Sequence, residues 1–503
     1  MTMGRVIDGA RFDAQQQAND IVASARRDAD ELIASARVQA EQLVVAAAVH
    51  AAAIRRTATP LPPVSEAPAV AASAAAPAAQ MFDPHRPADG TVTSVIGLTI
   101  RANCPGVFLG EHVWIERVGQ APMAADVVGF ADSHAVLLPL GDTAGLSQQS
   151  QIWRSYATAT ITAGPALLGR VLDGVGRPID DGPTLTGDSW PVVRAAPPAL
   201  SRTPITEAFA TGVRAIDGLV TFGRGQRMGL FAAAGVGKST LLSRIAQHAQ
   251  ADVIVSCMVG ERGREVRDFL DGTLPQARQR SVFVCATSDA SPLERVRAVQ
   301  TATAIAEWFR DMQGASVLLL VDSLTRVARA QREVGLSAGE PVARHGYPPS
   351  VFALLPRLVE RSGTAARGAI TALYTVLVAG DDLDEPIADE VRGLLDGHLI
   401  LDRSLAERGH FPPIDVVRSN SRVMHAVASA EHRAAALALR ARRAVYEEHR
   451  DLITLGAYKA GHNRSLDQAV AADGRDLAFL QQNSDGMPLQ QTVAALRALA
   501  GKE

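Results

Sequence analysis

The stretch LFAAAGVGKSTLL, Leu230 to Leu242, decides the fold. It resembles the phosphate-binding pattern G-x-x-x-x-G-K-[ST], closed by Gly237-Lys238-Ser239, but Ala232 stands where the opening glycine belongs. Such a loop needs a buried strand before it and a helix after it. Both are legible: an apolar run from Met228 to Ala232 enters the loop, and an amphipathic run leaves it at Lys238 or Ser239. Backbone N–H groups at a helix start face phosphates, and the helix dipole favours their charge. Lys238 then reaches the β- and γ-phosphates, and Ser239 offers a hydroxyl to Mg2+. Ala232 to Ala234 are acceptable wherever φ stays negative, while Gly235 and Gly237 keep the phosphate-facing positions clear. The competing reading is a tight strand–helix turn carrying an exposed lysine.

Outward from the loop, apolar runs alternate with amphipathic ones: MGLFAAAG then STLLSRIAQHA, DVIVSCMVG then REVRDFLDG, SVFVCATSD then PLERVRAVQTATAIAEWFRD, SVLLLVDSL then TRVARAQREV. This is an α/β plan, a RecA-like P-loop core on a buried parallel sheet. VLLLVD ends a strand on Asp322, where a carboxylate holds the water shell of Mg2+. Glu261 ends another strand, at the edge where parallel sheets bind ligands, and suits the orientation of an attacking water. Arg262 beside it suits the γ-phosphate; the plainer reading, a surface salt-bridge cluster, is plausible for Arg264 and Glu265 but less so for Glu261. RSNSRVM offers Arg418 and Arg422 as an arginine supplied from a neighbouring subunit, against the plainer reading of ordinary ion-paired arginines.

The flanks read differently. Residues from about Phe12 to Ile54 form one Ala-rich helical run, with Ile21, Leu32, Leu43 and Ile54 spaced by eleven. Eleven residues are close to three turns, so these side chains make a nearly straight stripe on a helix about 65 Å long. A stalk-like pairing is favoured over a lone helix packed on its own protein. A Pro/Ala-rich linker follows at 57–89, then short β-rich runs suggesting a small barrel at 90–157. The nucleotide core occupies 158–423, and 424–503 is helical.

Composition excludes several classes. The chain has 503 residues, 20% of them charged, and a net charge of −3, which gives no reason to expect sequence-independent nucleic-acid binding. Cys104, Cys257 and Cys285 lack metal-ligand spacing and read as buried reduced thiols. No signal-peptide pattern opens the sequence, and the apolar run from Leu43 is too short to span a bilayer. The expectation is a cytoplasmic protein that meets a membrane only through partners.

Several long stretches carry a family resemblance: GLTIRANCPGVFLGE, LLGRVLDGVGRPIDDGP, TGVRAIDGLVTFGRGQRMGLFAAAGVGKSTLL, VGERGREVRDFL, ALYTVLVAGDDLDEPIADEVRGLLDGHLIL and HFPPIDVVRSNSRVM. From about Gly90 onward the chain resembles the type III secretion system ATPases, relatives of the flagellar export ATPase and of rotary ATP synthase catalytic subunits. The three-alanine loop looks like the injectisome members, whereas flagellar members typically read AGSGVGKS. The resemblance implies a homohexameric, Mg2+-dependent ATPase, with ATP at each subunit boundary, that releases chaperones and unfolds effectors at an export gate. By position it makes Ala234, Gly235, Val236, Gly237, Lys238, Ser239 and Thr240 the phosphate cradle, with Ser239 and Asp322 on the metal side. Glu261 matches the catalytic glutamate, Arg262 the γ-phosphate arginine and Arg326 the DSLTR arginine. Phe411 matches the aromatic that stacks on adenine, and Arg422, better than Arg418, matches the arginine finger. The acidic turn Asp381, Asp382, Asp384 and Glu385 matches a pore-facing loop that meets a basic central stalk protein, the alternative being a solvated loop.

The N-terminal helix departs from the pattern, since family members begin with a short helix that docks on a stator protein. It resembles the stator's own stalk, which suggests a fused stator segment. Three rivals stand beside the main reading: the flagellar export ATPase, a non-catalytic ring subunit, and an RNA-translocating motor. Glu261 argues against the second, and the absence of a basic aromatic barrel surface argues against the third.

Overall fold

The computed structural model describes residues 85–501 except 273–274, 379–381 and 484. The expected stalk helix, nearly all of the linker and Asp381 therefore lie outside the described residues.

Six strands come first: β1 (Gly90–Ile96), β2 (Thr99–Asn103), β3 (Glu111–Arg117), β4 (Gln120–Ala131), β5 (His134–Pro139) and β6 (Gln151–Thr158). They close into a barrel in the order β1-β2-β5-β4-β3-β6. Alternate residues point inward, so Ile100, Ala102, Val113, Ile115, Val127, Leu137 and Ile152 fill the barrel. At its rim Glu111 is fully buried and meets the Arg154 guanidinium in two bonds of 2.9 Å.

The main sheet has nine strands. Those used below are β7 (Val171–Asp173), β8 (Arg227–Ala232), β9 (Val253–Glu261), β10 (Ser281–Thr287), β11 (Ser316–Asp322), β12 (Ala369–Leu377), β13 (Gly397–Leu401) and β14 (Asn420–Ser421). Their order is β14-β13-β8-β12-β11-β9-β10-β7, parallel except for β14, and a short antiparallel strand, Gly363–Thr364, pairs with β12. The apolar runs of the sequence are these strands, buried on both faces. On one face Val255, Val259, Val284 and Leu319 meet Ile305 and Phe309 of helix Pro292–Gln313; on the other Ile254, Phe283, Leu318 and Leu373 meet Leu241, Leu242 and Ile245 of helix Lys238–His248.

We call the helices α1 (Lys238–His248), α2 (Gly263–Asp271), α3 (Pro292–Gln313) and α4 (Leu324–Ser337). The start and stop of α3 are written locally: Ser291 accepts from the Glu294 N–H, Pro292 opens the helix, and Gly314 closes it in a left-handed conformation. Three C-terminal helices, α5 (Ala430–Glu448), α6 (Arg464–Leu480) and α7 (Leu489–Ala500), extend the α1-side core through Leu439, Phe479, Leu480 and Leu496. Cys104, Cys257 and Cys285 are buried and form no disulfide. Among the described residues no helix is long and apolar enough to cross a membrane.

Candidate active site

Four neighbouring strands, β8, β12, β11 and β9, end at one edge of the sheet, and each delivers a polar group there. Beyond β8 the chain turns through Ala233–Gly237 and enters α1 at Lys238. Gly235 and Gly237 have φ of 82° and 92°, where a side chain is strained. Ala232, Ala233 and Ala234 all avoid positive φ, so the alanines fit the loop as the sequence suggests. No side chain caps α1, which leaves its first N–H groups for an anion. Ala234, Gly235, Ser239 and Thr240 are exposed, Val236 is buried, and Gly237 and Lys238 are half-buried.

Lys238 is the hub of the site. Its ammonium contacts the Asp322 carboxylate and lies 3.4 Å from Glu261 Oε1. Asp322, 5% exposed at the end of β11, also accepts from the Thr375 hydroxyl of β12 at 2.7 Å. Glu261, 4% exposed at the end of β9, is held through Oε2 by Arg326 of α4 at 2.9 Å. Arg326 also donates to the Gly260 carbonyl, so one guanidinium fixes both the backbone and the side chain at this strand end.

Burial, reinforced by a hydrogen bond to Glu265 and by Asp322, pushes the Glu261 carboxyl up to about 7, while Lys238 and Arg326 oppose the rise. The same bond to Glu261 holds Glu265 below the ordinary carboxylate range. Glu265 thus belongs to the site's edge, unlike Arg264, which makes an exposed ion pair with Asp268. Arg262 is exposed at the foot of α2, directly after Glu261.

Phe411 is half-exposed, and a Cβ on Gly237 would stand 3.9 Å from its ring. An aromatic face therefore flanks the phosphate loop from a segment far away in sequence.

The remaining candidates lie elsewhere. Arg422 follows β14, and its N–H donates to the carbonyl of Asp396, just before β13. Because β13 runs parallel to β8, this is the sheet edge opposite the loop. At about 3.3 Å per residue, the length of β8 alone puts roughly 17 Å between the two edges, beyond the reach of an arginine. Arg418 pairs with Asp402 at 2.9 Å and with Asp415 at 2.5 Å, the ordinary ion-paired reading. In the acidic turn, Asp382 accepts from the Asp384 N–H, and Arg392 lies 3.5 Å from the exposed Asp384 carboxylate.

Sequence reasoning missed Thr375. A threonine in the apolar run ALYTVLVA was the available signal, and it acquires meaning only once β12 and β11 are paired.

A closed barrel, a phosphate loop at the edge of a parallel sheet and strand-end carboxylates facing its lysine define a P-loop ATPase. The family model for the ATP synthase alpha/beta nucleotide-binding domain matches residues 212–421, and that for the T3SS EscN ATPase C-terminal domain matches 428–498. The SPI-2 type 3 secretion system ATPase of Salmonella typhimurium is 49% identical over 398 residues, 79% of this chain and 91% of that protein. The flagellum-specific ATP synthase of Bacillus subtilis is 46% identical over 419 residues, 82% of this chain and 95% of that protein. The solved structure of assembled EscN, from the type III secretion system of enteropathogenic E. coli, aligns with a TM-score of 0.77 at 43% identity, covering 82% of this chain and 99% of that one. The chain belongs to the type III secretion and flagellar export ATPases of the ATP synthase alpha/beta family, and it is an ATPase of protein export.

Proposed function

We propose that this chain works as a homohexameric, Mg2+-dependent ATPase of an injectisome, with each ATP gripped by one protomer and its cleavage completed by Arg422 of the next. The observation that carries this reading is the separation of Arg422 from its own loop by the depth of the sheet. An assembled EscN, also solved in complex with its central stalk EscO, supports an oligomer with a central stalk partner. The choice of injectisome over flagellum rests on the loop alanines Ala232–Ala234.

Within one site the roles follow from position. The α1 N–H groups and Lys238 bind the triphosphate, and Phe411 stacks on the adenine. The donors present suit a hard cation: Ser239 would hold Mg2+ directly and Asp322 through water. When bound, Mg2+ neutralises charge on the phosphate oxygens. Glu261 Oε2 is occupied by Arg326, which leaves Oε1 on the Lys238 side to accept a hydrogen from the attacking water and orient it. Arg262 and the neighbour's Arg422 stabilise charge gathering on the terminal phosphate.

Other partners follow from family membership. The barrel forms the collar of the ring, the C-terminal helices face the export gate and chaperone–effector complexes, and the acidic turn meets the central stalk. The chain works in the cytoplasm, reaching the inner membrane through a stator and the gate.

Mixing two inactive variants tests the shared site. Glu261→Gln retains Arg422, and Arg422→Ala retains Glu261. Each alone is expected to lose about 10²-fold or more in kcat. A one-to-one mixture assembled together should recover roughly a quarter of wild-type activity, because half the sites keep Glu261 and half of those face an intact arginine. No recovery in mixed rings would refute a site completed across the boundary.

A further inference from the structure

Between α6 and α7 the chain passes beside the nucleotide site, and one residue there ties its own turn to three separate segments. Gln482 is 7% exposed. Its side-chain oxygen accepts from the Arg214 N–H at 2.7 Å, and its amide nitrogen donates to the carbonyls of Gly212 at 2.8 Å and Asp485 at 2.7 Å. Its backbone N–H donates to the carbonyl of Phe411 at 3.0 Å. Its own carbonyl accepts from Arg244 of α1 at 2.8 Å. Arg214 secures the same turn from the other side, donating to the carbonyls of Ala478 and Gln481 and lying over the Phe479 ring.

We infer that Gln482 is a positioning residue that sets the Phe411 ring against the phosphate loop and so tunes affinity for the adenine of ATP. The buried amide has both donors and its acceptor engaged, so the backbone of residue 482 is fixed to the core at Gly212 and Arg214. That fixed backbone in turn fixes Phe411 through one hydrogen bond and α1 through another. Phe411 is half-exposed between buried His410, whose N–H donates to the Leu405 carbonyl at 2.9 Å, and buried Pro412, and the Gln482 N–H ties its own carbonyl to the turn between α6 and α7. Removing the amide releases the turn without touching Lys238, Glu261 or Asp322. The link from Gln482 to α1 is at Arg244 in the second turn of that helix, past the Lys238–Thr240 N–H groups that face the phosphates, so the effect falls mainly on the base. Because α6 and α7 are the elements joined by this turn, the C-terminal helical domain sets how firmly the base is held.

The inference rests on the reading of Phe411 as the adenine shelf, and the experiment separates the two. Steady-state ATPase kinetics are measured for Gln482→Ala and Phe411→Ala, together with inhibition by tripolyphosphate, which lacks a base. Gln482→Ala should raise KM for ATP about tenfold, keep kcat within about threefold and leave the tripolyphosphate inhibition constant unchanged. Gln482→Met preserves volume and the backbone bonds while deleting the amide; it serves as the second variant should alanine not fold. A folded Gln482 variant with wild-type KM overturns the inference, as does an equal loss of tripolyphosphate affinity, which marks general loosening. If Phe411→Ala alone raises KM, only the role of Gln482 falls. If Phe411→Ala leaves KM unchanged, the shelf falls and the inference with it.

Discussion

His410 stands next to the aromatic that flanks the phosphate loop, and its protonation is strongly displaced. Burial, with Arg443 and Arg408 nearby, lowers its pKa to about 4. An unfolded histidine titrates near 6.5. Between these values the unfolded chain binds the extra proton, so stability rises with pH through this window. The contribution is complete above about 6.5 and lost as pH falls through about 4. Urea midpoints for the wild type should fall as pH drops from about 6.5 towards 4, and His410→Gln should flatten that dependence. An identical pH dependence in the variant would count against it. Residues also differ in how far they announce themselves. Asp322 and Glu261 were legible because each ends a recognisable apolar strand, and Lys238 because it opens the helix after the loop that follows another; parallel topology gathers these ends at one edge. Thr375 and Gln482 were not, since their partners come from pairings that no local pattern encodes; the Gln482 amide bonds a carbonyl 270 residues earlier.

At the scale of an element, the barrel was legible as a series of short β-rich runs separated by turns, whereas the ion pair at its rim was not. Glu111 and Arg154 are 43 residues apart and meet because β3 and β6 are neighbours in the closed order. Glu111 is wholly buried, and the Arg154 guanidinium is mostly so. Replacing one member leaves the other charge buried without its partner, which typically costs about 3–5 kcal/mol. Glu111→Gln should therefore destabilise the barrel by that order, read as a lower denaturant midpoint for barrel tryptophan fluorescence. The double variant Glu111→Gln/Arg154→Met should recover much of the loss. Equal destabilisation in both would show that packing, rather than the stranded charge, dominates. The helices follow the same lesson. Ser291, Pro292 and Gly314 spell the ends of α3 locally, but the burial of most of that helix reflects the sheet beneath it and the barrel beside it.

For the whole molecule, the sequence plan of barrel, parallel-sheet core and helical end is the order observed. What the linear pattern left open is the sheet edge at which Arg422 stands, because that depends on β14 running back against β13 and leaving Arg422 at the far edge. The residues preceding the barrel carry their own expectation. If the stripe Ile21, Leu32, Leu43 and Ile54 is a fused stator segment, deleting residues 1–56 should weaken stator pull-down or docking of the ring while leaving basal ATPase within about twofold of wild type. Unchanged pull-down would remove the idea.

The distance from Arg422 to its own lysine loop also has a meaning for the cell. On the proposed role of Arg422, a lone subunit would carry both an ignition and a fuel line, mounted on opposite flanks where they cannot meet. Idle consumption in an unassembled pool would then be suppressed by geometry alone, and turnover would begin only where neighbours close a ring.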